Sequence, residues 1–307
     1  MAGARSLKVL AALAIAVAAV IGLAVFGWPA GQYRDNDFAA FWVGSRMLLD
    51  GRDPYDFAAF LDMHQRIGSR GLAIDPPCCP AGYVYPLTAA LLFAPFALLP
   101  ISLAAPLWLV TQVSLALAAL IALARRLFGR TLRRDLPVLL ALAISCQPAW
   151  LLAAGGNLGG YLLAIAATSG TLLLAGRPAA AGAVAGLLVV KPHPLLIAFA
   201  LILLALPRRS AIRMLAGAGS VAGAIVLVTL LLQPGWITEF LAPFGRIGDT
   251  PVPRSTIFGL LGGTGPVVWV IVAALLTGFL FWARRGQPLP VVIGAAVPVS
   301  LFSIPYG

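Results

Sequence analysis

Between residues 101 and 124 the chain carries no charged side chain, and the same is true of residues 10–26, 136–154, 158–175 and 266–283. A membrane-spanning helix needs about 20 mostly apolar residues. Runs of this length, repeated along one chain, cannot all be buried in a water-soluble core. Of 307 residues, 61% are hydrophobic and only 10% are charged. Soluble domains carry about 25% charged residues, so there is too little charge here to coat a water-facing surface. An ordinary soluble enzyme, a disordered chain and a fibrous repeat are excluded. The expected fold is an all-α polytopic membrane protein, a bundle of about 8–10 membrane segments.

The net charge of +11 would suggest nucleic acid in a soluble protein, but its distribution argues otherwise. Arg5 and Lys8 precede the first run, and Arg125, Arg126, Arg130, Arg133 and Arg134 follow the span at 101–124. Arg177, then Arg208, Arg209 and Arg213, then Arg284 and Arg285 mark further ends, with Asp135 the one acid among them. Lys and Arg gather in cytoplasmic loops. The basic excess is therefore a topology signal, and no nucleic-acid partner is expected. The N-terminus lies inside, and the chain is expected to be multi-pass in the plasma (inner) membrane. Cys78, Cys79 and Cys146 make neither a disulfide framework nor a metal spacing.

Residues 27–86 form the one long polar segment, on the outer face. It holds seven of the ten acidic residues: Asp35, Asp37, Asp50, Asp53, Asp56, Asp62 and Asp75. Phe38, Phe41, Trp42, Met47 and Leu48 recur at helical spacing before Gly51. That pattern predicts an amphipathic helix lying on the membrane face. Residues 87–99 are apolar but too short for an untilted span, and read as an interfacial or re-entrant helix. Residues 136–154 and 158–175 form a hairpin turning at Gly155-Gly156-Asn157. Residues 179–190 and 194–206 are short arms split by Lys191-Pro192-His193-Pro194, which puts that tip toward the outer face. Residues 212–232, 266–283 and 288–304 complete the apolar segments.

The candidate chemistry lies in few residues. Asp35-Asn36-Asp37 has two readings: a cap for the helix that follows, or a carboxylate at the membrane boundary that takes a proton from an acceptor hydroxyl. Lys191 stands apart from every charge cluster. A cation between apolar arms either binds a lipid phosphate or snorkels to the interface. His193 could help polarise substrate or simply close the tip. Tyr55, Tyr83 and Tyr85 could line a sugar pocket or form an interfacial aromatic belt. Asn157 could reach a sugar hydroxyl or close its turn. No Walker loop, dinucleotide fingerprint or metal-ligand spacing occurs. His64 receives no role.

These residues also carry a resemblance. Asp37-Phe38-x-x-Phe41-Trp42 with Leu49-x-Gly51-x-Asp53-Pro54-Tyr55 resembles the opening of glycosyltransferase family 87. Tyr83-Val84-Tyr85-Pro86-Leu87 and Pro95-Phe96-Ala97-Leu98-Leu99-Pro100 resemble the tyrosine-proline block that follows. Gly156-Asn157 is similar to that family's Gly-Gln turn, and Lys191-Pro192 to its lysine-proline segment. The resemblance implies a GT-C-like bundle with a long first outer loop. It implies an inverting hexosyltransferase that uses a polyprenyl-phosphate-linked sugar, typically mannose, with a lipid or glycan acceptor. The family's essential aspartate maps onto Asp37, with Asp35 as a supporting carboxylate.

Lys191, with Arg46 or His193, would stabilise the departing phosphate. No nucleotide or redox cofactor is implied, and a divalent metal stays open. One proline, Pro86, stands where the family usually has two. The family is also longer, so the single membrane domain of residues 1–307 is expected to be incomplete at its C-terminus. The alternative is a lipid-linked-sugar transporter or flippase, which short Pro-broken helices would also suit.

Overall fold

We describe a computed structural model covering residues 32–69, 83–129, 155–242 and 266–302. The expected first span, the arm at 136–154, the three cysteines and residues 243–265 of the last outer loop lie outside these residues. Every regular element described is helical. The chain divides into two compact units, Met1–Ala164 and Ile165–Gly307.

In the first unit, a 3-10 turn at Gln32–Arg34 leads into α1, Asp37–Leu49. Asn36 caps α1: its Oδ1 accepts from the Phe38 amide at 3.1 Å. That satisfies one of the donors a helix start leaves open. Gly51, at φ 67°, reverses the chain after the last turn. Helix α2, Phe57–Arg66, is capped by Asp56, which accepts from the Ala59 amide at 3.1 Å. Helix α3 is Leu87–Ala97, and α4 is Ile101–Phe128. Pro86 and Pro100 stand immediately before α3 and α4, where a missing amide hydrogen costs nothing.

Helix α1 departs from the expected amphipathic surface helix. It buries Phe38, Ala39, Ala40, Phe41, Val43, Gly44, Ser45 and Met47, which leaves no broad polar face. The reason is the small side chains opposite the aromatic stripe. At Gly44 the absence of a Cβ lets the Tyr83 ring lie directly on the helix. Helix α2 does keep the amphipathic form, burying Phe60 and His64 one turn apart. Trp42 ties α1 to the end of α3, its indole N–H donating to the Leu99 carbonyl at 3.1 Å.

Trp108 of α4 is the hub of this unit. It is fully buried, with Phe38, Phe41, Phe93, Phe96 and Tyr161 rings all centred within 5.4 Å. The opposite face of α4 exposes Leu103, Leu107, Val110 and Leu115. Water would penalise such a face, whereas hydrocarbon does not. At 1.5 Å per residue, the helix's 28 residues reach about 42 Å, more than the roughly 30 Å hydrocarbon core.

The boundary between the units falls within α5, Gly159–Leu174. The second unit continues through α6, Pro178–Ala185, a 3-10 turn at Gly186–Val190, and α7, His193–Ala205. It ends with α8, Arg208–Leu232, the short α9, Trp236–Leu241, then α10, Pro266–Ala283, and α11, Leu289–Phe302. Helices α6 and α8 touch backbone to backbone. Gly182 lies against the Met214 carbonyl and Gly217 against the Ala179 carbonyl. Small residues allow this approach, a common device in membrane helix pairs. Helix α8 starts one turn earlier than expected, so Arg208 and Arg209 open it. It exposes Ile212, Leu215, Leu227, Val228, Leu231 and Leu232. Among the described helices, α4 and α8 are long and apolar enough to cross a membrane.

Candidate active site

The Asp35-Asn36-Asp37 triplet forms the corner between the 3-10 turn and α1. Asp37 is the first residue of α1 and is half-buried. The first turn of a helix favours a negative charge. Asp35 is exposed, and its Oδ1 accepts from the Ser69 hydroxyl at 2.9 Å. Asn36, between them, holds the cap. The capping role thus falls to the amide of the triplet and not to either carboxylate at this contact.

The turn at residues 155–157 comes to the same corner. Gly156 has φ 63°, a conformation that L side chains rarely adopt. A Cβ built there would lie 2.7 Å from Asn36 Oδ1. Asn157 closes the turn onto α5, its Oδ1 accepting from the Gly159 amide at 2.8 Å. The turn is also held through α4. In the orientation that satisfies both its groups, the Gln112 carboxamide donates to the Asn157 carbonyl at 3.0 Å. Its oxygen then accepts from the Trp108 indole at 3.3 Å.

The tyrosines fall on the inner side of α1. The Tyr55 hydroxyl donates to the Tyr85 carbonyl at 2.8 Å, and the Tyr55 amide donates to Asp53 Oδ1 at 2.8 Å. The Tyr85 ring lies 4.1 Å from that of Phe41. Tyr83 is fully buried, which no interfacial belt residue would be. Arg46 is elsewhere: nine residues along α1 from Asp37, it stands about 14 Å up the axis and on the opposite face. There it pairs with Asp50 through two contacts of 3.1 Å.

His64, for which the sequence reading has no role, is among the most buried side chains of this unit, with 1% exposure. Neither ring nitrogen has a hydrogen-bond partner among the described residues. Burial pushes its pKa down to about 4, with the Asp35 carboxylate opposing. The detectable signal was the i, i+4 spacing that puts His64 on the same helix face as Phe60. Gln112, the fully buried amide of α4, is the other residue missed.

In the second unit, Lys191 is half-buried at the break between the 3-10 turn and α7. His193, the first residue of α7, is exposed. Leu188 and Leu195, on either side of this break, line an aliphatic crevice with Ile202, Met214 and Ile293. The one hydroxyl lining it, that of Ser169, is already donated to the Ala181 carbonyl at 2.9 Å. Among the described residues no three His, Cys, Asp or Glu side chains gather as metal ligands do.

The sequence profile of glycosyltransferase family 87 matches residues 83–304. Neither the curated proteins nor the solved structures include a match to this chain. The matched span takes in the tyrosine-proline block, the Gly156-Asn157 turn and Lys191-Pro192, and begins after Asp37. It covers most of a chain whose helices present apolar faces fit for lipid. The chain belongs to glycosyltransferase family 87 and is a membrane glycosyltransferase.

Proposed function

We propose that this transferase moves a hexose, with mannose the leading candidate, from a polyprenyl-phosphate donor to a lipid or glycan hydroxyl on the outer face of the plasma membrane. Asp37 is the general base. As the acceptor oxygen attacks the anomeric carbon, its proton passes to the Asp37 carboxylate. The bond from that carbon to the phosphate oxygen breaks, and the electron pair leaves with polyprenyl phosphate. Attack opposite the leaving group inverts the anomeric centre.

The observation that carries this reading is the seating of the Gly156 turn on Asn36. It joins the carboxylate corner, which precedes the profile match, to a motif block within it. Asp35, fixed by Ser69, supports the charge at this corner. Tyr55 and Tyr85 offer ring faces to a sugar, and Asn157 sets the turn. Lys191, with His193 beside it, is our choice for the donor phosphate, since a lysine supplies charge and hydrogen bonds together. The aliphatic crevice flanking Lys191 suits a lipid-linked donor better than a nucleotide. Arg46 already holds Asp50 and has the weaker claim.

The test is transfer by the purified chain in nanodiscs, supplied with membrane-extract acceptors and a panel of labelled donors. We expect product and free polyprenyl phosphate from polyprenyl-phosphate mannose, with an inverted linkage. Transfer from nucleotide sugars alone would contradict the reading.

A further inference from the structure

We infer that Asn36 and Gly156 are positioning residues, and that their contact sets the Asp37 carboxylate. The inference rests on Asp37 being the base. Asn36 holds two jobs with one carboxamide. Its Oδ1 fixes the first turn of α1 through the Phe38 amide, and the same group is the surface on which the Gly156 turn rests. A Cβ on residue 156 would come within 2.7 Å of Oδ1 and 2.8 Å of both Cγ and Nδ2. It would meet the whole carboxamide, and the cap could not swing aside without releasing the Phe38 amide.

The turn cannot simply back away either. Its Asn157 carbonyl is held by Gln112, and Asn157 Oδ1 caps α5. Gln112 is itself wedged, because Gly160 lies so close that a Cβ there would be 3.1 Å from its Cβ and 3.2 Å from its Cγ. Behind it, Trp108 packs on Phe38, the residue after Asp37. The corner bearing Asp37 is thus held on one side by the turn and on the other by the α4 hub. A bulkier residue at position 156 moves the cap, and the cap carries Asp37 with it.

A shift of about 1 Å at a reacting group can cost about 10²-fold in rate. Gly156→Ala should therefore lower kcat by about 10²-fold while leaving KM for the donor within about threefold. Asn36→Ser keeps a capping oxygen but removes the carboxamide that the new Cβ would strike. In the Asn36→Ser background, Gly156→Ala should cost at most about threefold in kcat, an estimate resting on recovered placement. The strain that a positive φ imposes on a side chain at position 156 persists in both backgrounds, so thermal stability should fall in each, and further where the Asn36 carboxamide is present to meet the new Cβ.

The measurement is a double-mutant cycle on the full chain in nanodiscs with polyprenyl-phosphate mannose, recording kcat, KM and unfolding temperature. Equal kcat losses in both backgrounds would overturn the inference, as would wild-type kcat in Gly156→Ala. If Gly156→Ala does not accumulate, Asn36→Gln presses the same contact from the other side, and the same kcat loss is expected. Asp37→Asn is measured alongside. If it transfers normally, the base assignment fails. If it is inactive while the cycle shows no coupling, only the positioning inference fails.

Discussion

Ser69 donates its hydroxyl to Asp35 Oδ1 at 2.9 Å and its amide to the His64 carbonyl at 3.1 Å. One residue thus ties the carboxylate corner to the end of α2. Ser69→Ala removes the hydroxyl bond at an exposed site. The expected loss is about 1 kcal/mol of stability or less, with a several-fold fall in transfer if Asp35 supports the reaction. Ser69→Thr keeps the hydroxyl and should behave as wild type. Paired transfer and unfolding measurements on the two variants check this.

His64 makes the polar segment that carries α2 sensitive to acid. Its folded pKa, about 4, lies below the ordinary 6.5 because burial disfavours the charged ring. Between those values the unfolded segment binds a proton that the folded one does not. The contribution is full above about pH 6.5 and is lost as pH falls through about 4, a total of about 3 kcal/mol. Hydrogen exchange across residues 57–66 should accelerate over that window in the wild type. In His64→Phe the dependence should flatten. Because Asp35 opposes the shift, Asp35→Asn should move the titration lower still.

Trp108 joins α1, α3 and α5 to α4 through ring contacts. Trp108→Ala should cost about 3–5 kcal/mol, the range for deleting a large core aromatic. Trp108→Phe keeps most of the area but drops the indole bond to Gln112, and should fall between. Unfolding in detergent distinguishes the three proteins.

The α6–α8 seam predicts a contrast between glycines. Gly182 and Gly217 meet backbone across the seam, whereas Gly219 and Gly223 of the same α8 have open space around them. Gly182→Val should destabilise the second unit by about 1–3 kcal/mol or more through overpacking. Gly219→Ala and Gly223→Ala should be neutral or slightly stabilising, since alanine is the better helix former by about 1 kcal/mol. Unfolding temperatures of the three variants provide the check.

Helix positions were legible where apolar runs met Pro, Gly or Arg. Residues 158–175 and 266–283 became α5 and α10 almost residue for residue. The burial of α1 was not legible, because Ala39, Ala40, Gly44 and Ser45 do not announce a packed face. They become core only because Tyr83, α3 and α4 lie against them, and those partners are distant in sequence. The triplet and the Gly-Asn turn were each visible as motifs. Their contact was not, since 120 positions separate Asn36 from Gly156 and no local pattern encodes a clearance. His64 was hidden for a related reason: a histidine in a charged segment reads as solvated until the Phe60 spacing is weighed.

The central claim is that Asp37 takes the proton from the acceptor. Its most direct test is the turnover of Asp37→Asn with polyprenyl-phosphate mannose in nanodiscs. The substitution keeps size and removes basicity. We expect kcat to fall by about 10²–10⁴-fold, the span general bases contribute, with the unfolding temperature lowered only by the small loss of a first-turn charge and Asp35→Asn less affected. Wild-type turnover in Asp37→Asn would contradict the account.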